Sequence, residues 1–123
     1  MEKDNRLVLL NTLKEMIGKT IKVYIDRPIG YNHKGIIYTQ NYGYIKEYVA
    51  EDGEYQDAYV IGIDKPLTEY IGKIIAIINR KDDNEDKLVI CDVNKDYTEE
   101  EIEKLVDFQE KYFHHEIIKN NDK

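Results

Sequence analysis

Three carboxylates fall within six residues at Asp52, Glu54 and Asp57, in the stretch EDGEYQDAYVIG, where a glycine-containing turn leads into a strand-like segment. Charges of one sign this close repel. A chain accepts them on a solvated loop, or where a hard, oxygen-seeking cation such as Mg²⁺ bridges them. A second acidic group, Asp82, Asp83, Glu85 and Asp86, lies in RKDDNEDK between two apolar runs and reads as the tip of a hairpin. Either cluster alone is most often a solvated turn. Two clusters at one rim of a barrel would instead line one cavity and hold metal ions about 3.5 to 4 Å apart. Between the first helix and the acidic motif, Tyr38, Tyr42 and Tyr44 surround Asn41 and Gly43. Phenolic hydroxyls can hold phosphate oxygens without adding charge, although many of the 11 tyrosines must serve packing. Stacking of single-stranded bases is the rival use of such rings, and it needs a basic groove that this chain lacks.

Several short elements must position these groups. Apolar residues at helical spacing in RLVLLNTLKEMIG predict an N-terminal helix over 5–17, with Gly18 as its stop. Strand-like runs follow at 21–25, 35–39, 42–50, 58–63, 72–79 and 87–91, separated by turn residues. Such tight spacing predicts a barrel or a sandwich. Thr98 and Glu101 form a capping box, and Ile102, Leu105, Val106, Gln109, Tyr112 and Phe113 carry a helical period to about 117. A polar tail, 118–123, ends the chain.

Composition narrows the partners. The 123 residues suit one domain over 1–123, and no apolar run is long enough to span a membrane. A formal net charge of −7 argues against nucleic acid, whose phosphates are bound by clustered Lys and Arg. An acidic protein can still take an anionic small molecule when metal cations sit between them. The single Cys91 on an apolar run reads as a packing residue, and the start of the chain lacks a signal-peptide cleavage pattern, so the cytoplasm is the expected compartment.

Tyr38-x-x-Asn41-Tyr42-Gly43-Tyr44-Ile45 followed by Asp52-Gly53-Glu54-x-x-Asp57 resembles the soluble inorganic pyrophosphatases, whose hallmark is Y-P-x-N-Y-G-(Y/F)-I and then D-G-D-x-x-D-V-L-V. Pro66-Leu67, the Gly72-Lys73 strand, Asp86-Lys87-Leu88-Val89 and the C-terminal FQEKYF are similar to further family segments, so the resemblance covers roughly residues 24–113. It implies an α+β, mainly β fold, a five-stranded OB-like β-barrel with flanking N-terminal and C-terminal helices. The implied activity is hydrolysis of pyrophosphate or a related phosphoanhydride by a water activated on Mg²⁺, or alternatively Mn²⁺. Carried over, Asp52, Asp57, Asp86 and Asp83 or its neighbour Asp82 would ligate metal. Glu54 with Asp57 would be catalytic, and Lys87, Tyr42, Tyr112 and Tyr38 would contact the small-molecule substrate. Asp26 would match an acidic residue of the family. Self-association into a homo-oligomer is compatible with the resemblance.

The chain departs from the family at several points. A basic hairpin before the tyrosine motif is missing, Glu54 replaces an aspartate, and Asp86 adjoins Lys87 directly. Phe113 replaces a phosphate-binding lysine and is expected at the rim, with Lys34 and Arg27 as substitute cations. An alternative follows: a weakly active or inactive protein of this fold that binds metal, a phosphorylated ligand or a protein partner.

Overall fold

A computed structural model describes residues 2–49, 53–82 and 85–119, with side chains of the first helix described from Leu9 onward. In chain order the elements are α1 (Glu2–Glu15), β1 (Thr20–Arg27), β2 (Asn32–His33), β3 (Ile36–Ile37), β4 (Asn41–Val49), β5 (Tyr55–Val60), β6 (Glu69–Arg80), β7 (Asp86–Cys91), α2 (Glu99–Glu110) and β8 (His115–Ile118). The strands run β1-β4-β5-β7-β6, and β1 pairs again with β6, closing a five-stranded barrel to which β8 adds along β6. The fold is mainly β with two helices, as the sequence predicts. Among the described residues no helix is long and apolar enough to cross a membrane.

Alternation along each strand gives the barrel two apolar faces. Inside, Val23, Ile45, Ala58, Val60, Ile74, Ile77, Leu88 and Ile90 meet Leu13 of α1, which closes the barrel from one side. Outside, Tyr42, Tyr59, Ala76, Ile78, Val89 and Cys91 pack under Ile102 and Val106 of α2. Cys91 is thus a buried packing residue. Gly43 explains itself at the β1–β4 crossing: a Cβ there would lie 1.8 Å from the Tyr24 carbonyl oxygen. Only glycine allows so close a backbone approach.

Two elements differ from the sequence expectation. The 35–39 run shrinks to the two-residue β3, which pairs with β2 around a turn at Lys34 and Gly35. Both turn residues have positive φ, 54° and 90°, the geometry of a two-residue hairpin. At the other end α2 stops at Glu110 instead of running to 117, and residues 115–118 become a strand. The helical period of the sequence continues past the true end because Tyr112 and Phe113 keep the spacing although they lie in the turn after α2, and Ile117 and Ile118 beyond them join both clusters from β8. The N-terminus of α2 is the expected capping box: Glu101 N–H donates to Thr98 Oγ1 at 3.1 Å and Thr98 N–H to Glu101 Oε1 at 2.8 Å.

Candidate active site

A cleft of about 330 Å³ opens where the outer barrel face runs out from under the C-terminal end of α2. β5 and β7 supply its centre. Asp57 and Lys87 both point outward, and Lys87 Nζ, only 3% exposed, lies 2.7 Å from Asp57 Oδ2 and 3.0 Å from Glu85 Oε1. Two carboxylates thus converge on one buried ammonium. Tyr42 of β4 forms the adjoining wall, with Lys87 Nζ 5.7 Å from its ring centroid. Burial holds the Tyr42 phenol well above its ordinary pKa, and the Asp57 charge adds to this. The hydroxyl therefore stays a donor at neutral pH.

The β2–β3 hairpin brings His33 and Lys34 over one side, and Arg27 at the end of β1 completes it. The cleft is lined by four cations, Arg27, Lys34, Arg80 and Lys87, against two carboxylates, Asp57 and Glu85. In a chain of net charge −7 this is a local reversal of sign. Such a cavity attracts anions.

Beneath the cleft runs a buried chain of hydrogen bonds that joins two of those cations. Arg27 Nη1 donates to the Tyr38 hydroxyl at 2.8 Å, and that hydroxyl donates to Gln109 Oε1. Gln109 Nε2 donates to the Tyr59 hydroxyl at 2.7 Å, which donates to Glu110 Oε2 at 2.6 Å. Glu110, fully buried, then accepts two bonds from Arg80, Nε to Oε1 at 3.0 Å and Nη2 to Oε2 at 2.6 Å. Burial works against the Arg80 charge, yet the Glu110 bonds outweigh it and push the guanidinium pKa up. Phe113 covers Arg80, with the guanidinium carbon 3.8 Å from its ring centroid. A charge held this way costs little to keep buried, because its partner and its stacking surface are fixed.

The structure gathers Asp57, Lys87, Tyr42 and Tyr112 at this cleft and places the other candidates elsewhere. Tyr38 is fully buried in the supporting network. Glu54 sits at the exposed bend before β5, off the cleft lining. Asp86 departs from expectation: as the first residue of β7 it faces opposite to Lys87, and its Oδ1 accepts from Asn79 Nδ2 at 2.6 Å on the barrel side. Glu85, one residue earlier, takes the place at the cleft. Asp82 is held outside it by the backbone, its Oδ2 accepting from His114 N–H at 2.7 Å. Asp52 and Asp83 lie outside the described residues. Asp26 sits at the β1 bulge, its carboxyl pKa raised by burial, with Arg27 opposing and Asp57 adding to the rise. Arg80 and Glu110 are the residues sequence reasoning missed, and Arg80 closing an apolar strand was the one available signal; Glu85 was named there only as one member of the second acidic cluster.

Metal chemistry can be tested on the donor set. Among the described residues no three His, Cys, Asp or Glu side chains group closely enough to hold an ion. The Asp57 and Glu85 carboxylates nonetheless converge, and Mg²⁺ is commonly held by one or two carboxylates plus substrate phosphates and water. Two hard oxygen donors beside an anion cleft fit that mode of binding.

The solved structures that this fold is similar to agree with one another. An inorganic pyrophosphatase from Ehrlichia chaffeensis superposes with a TM-score of 0.66 at 14% identity, over 84% of this chain and 87% of that one. One from Neisseria gonorrhoeae gives 0.60 at 22% identity over 74% and 72%, and one from Thermus thermophilus 0.61 at 16% over 84% and 83%. Among curated proteins no sequence matches significantly. The family model for inorganic pyrophosphatase matches residues 10–119, which take in the barrel, the cleft and α2, and so the chain belongs to the inorganic pyrophosphatase family, whose enzyme class is inorganic diphosphatase.

Proposed function

We propose that this chain hydrolyses inorganic pyrophosphate, or a closely related phosphoanhydride, with Mg²⁺ or Mn²⁺ held by Asp57 and Glu85 and, from the segment before β5, Asp52. The observation that carries the reading is the convergence of Asp57 and Glu85 on one cationic point at 2.7 and 3.0 Å within a cation-lined cleft. When bound, the divalent ion supplies charge neutralisation and lowers the pKa of a water. This chain's own groups do the rest. Lys87 serves as the counter-ion of Asp57 and Glu85, and its ammonium can turn to a phosphate oxygen when a substrate arrives. Arg27 and Lys34 meet the outer phosphate, and the Tyr42 and Tyr112 hydroxyls donate to it. Arg80, locked by Glu110, sets a fixed positive floor, and the Phe113 ring keeps water off that ion pair. The water-orienting role falls to Asp57, since Glu54 stands off the cleft.

The same ion pair favours a second reading. Carboxylates already neutralised by Lys87 have less need of metal, which suits a protein that binds a phosphorylated ligand without turning it over. Phosphate release from pyrophosphate, with and without Mg²⁺ and Mn²⁺, decides between them. The hydrolase reading expects metal-dependent release that Asp57→Asn reduces at least about a hundredfold with the fold intact. Binding of imidodiphosphate with no release from pyrophosphate under any metal would establish the second reading instead.

A further inference from the structure

On α2, Ile102, Val106 and Gln109 are buried at positions i, i+4 and i+7, the spacing of the stripe that packs on the barrel. An apolar side chain would complete that stripe. Gln109 puts an amide there instead, only 6% exposed, and a buried amide is tolerated where its donors and acceptors are engaged. It borders the cleft and bonds both the Tyr38 and the Tyr59 hydroxyl.

The two ends of the buried chain decide how that amide must lie, because a guanidinium can only donate and a carboxylate can only accept. Arg27 Nη1 donates to the Tyr38 hydroxyl at 2.8 Å, so the Tyr38 proton needs an acceptor further along, and Gln109 Oε1 is that acceptor. Nε2 of the same amide then faces the Tyr59 hydroxyl at 2.7 Å, and the Tyr59 proton goes to Glu110 Oε2 at 2.6 Å. Burial keeps both phenols protonated: it raises the Tyr38 pKa against the pull of Arg27, and the Glu110 charge raises that of Tyr59 further. A flipped amide would set its N–H groups against the Tyr38 proton. The charges at the two ends therefore select one orientation.

We propose that Gln109 is a positioning residue for Arg27: its amide orients the Tyr38 hydroxyl, which holds the Arg27 guanidinium toward an anion in the cleft. The inference rests on the reading of the cleft as a phosphoanhydride site in which Arg27 meets the outer phosphate. The observation that carries it is the unbroken sequence of bonds from a buried helix residue, through a buried phenol, to a half-buried cation of the cleft lining. The Tyr38 and Tyr42 rings lie 5.8 and 5.6 Å from the Arg27 guanidinium carbon, which attracts the charge without fixing its direction. A hydrogen bond has direction. Arginine is long and loses rotamer freedom when it meets a ligand, and a guanidinium already held loses less, so the hold is felt as affinity.

Titration calorimetry with imidodiphosphate in excess Mg²⁺ tests this on the parent, Gln109→Met, Arg27→Met and the double variant. Methionine keeps the length of the side chain and removes the amide. Arg27→Met should weaken binding about 10- to 100-fold, the span of one charge-assisted bond, and Gln109→Met about 3- to 10-fold, a part of it. With Arg27 already replaced, Gln109→Met should change Kd by less than about twofold, because nothing is left to position. Tyr38→Phe cuts the same link from the other side and should repeat both results, which keeps the test alive if Gln109→Met does not fold. In turnover, Gln109→Met should raise KM for pyrophosphate by the same factor with kcat held within about twofold, the mark of lost binding shared by substrate and transition state. Equal effects of Gln109→Met and Tyr38→Phe in the parent and in the Arg27→Met background would overturn the proposal, as would a lowered kcat at unchanged KM. A parent that does not bind imidodiphosphate removes the cleft reading and this proposal with it. A parent that binds it but releases no phosphate from pyrophosphate removes hydrolysis alone, and the binding cycle still decides the role of Gln109.

Discussion

Lys34 holds φ at 54°, a left-handed conformation that side chains other than Asn and Asp rarely adopt, and it does so at the hairpin that overhangs the cleft. Asparagine fits that backbone without the charge. Lys34→Asn should therefore leave the melting temperature unchanged or higher while raising KM for pyrophosphate about 3- to 10-fold, the range of one exposed charge. Phe113 yields a second expectation. It does sit at the rim, but its ring stacks on Arg80, so Phe113→Lys would set an ammonium against a buried guanidinium. We expect a stability loss of about 1 to 2 kcal/mol in urea and no gain in pyrophosphate affinity. Asp57, Lys87, Tyr42 and Tyr112 were legible as residues that would meet, because the family resemblance carries all four over from its motifs. Asp86 was not, since placing it depends on the residue at which β7 starts, and a shift of one position sends the side chain to the other face. The Arg80–Glu110 pair was hidden for another reason. Its partners are thirty residues apart on a strand end and a helix end, and neither has a local pattern.

Among the elements, β4 depends most on a single atom's absence. Gly43→Ala would force the β1 backbone away from a contact of 1.8 Å, and neither strand can yield without breaking its pairing. A loss of about 3 kcal/mol or more in chemical denaturation is expected. β8 depends on protonation. His115 Nε2 lies 2.7 Å from Glu103 Oε2 of α2, and Nδ1 2.8 Å from the Phe113 carbonyl. Burial opposes the charge there, but these two partners prevail and raise the imidazole pKa above 6.5. A raised folded-state pKa gives stability that is full below the unfolded value and disappears as pH climbs through the folded one. The melting temperature should fall as pH rises above about 6.5, and the same scan of His115→Gln should show that slope reduced. The closing helix and its cap were readable from sequence, whereas β8 was not. Its pairing partner, Ile77 to Arg80 of β6, is distant in the chain and leaves no mark on the local period.

At the scale of the molecule, a chain of net charge −7 carries a cation-lined cleft whose two carboxylates are already occupied by Lys87. Mg²⁺ alone should accordingly raise the melting temperature little, while Mg²⁺ with imidodiphosphate should raise it strongly. At a hundred times Kd the joint ligand contributes about 2.7 kcal/mol. Equal shifts with and without the imidodiphosphate, by scanning calorimetry, would contradict the ordering in which anion and metal arrive together. The buried chain from Arg27 to Arg80 has an optical side as well. The protein has 11 tyrosines and no tryptophan, so its ultraviolet emission is entirely phenolic. Tyr59 donates to a carboxylate, an arrangement in which an excited phenol passes on its proton and goes dark. The light should come mainly from rim rings such as Tyr55 and Tyr112, exposed by 46% and 61%. Tyr112 borders the cleft, so filling the cleft should be visible as a change in brightness without any attached dye.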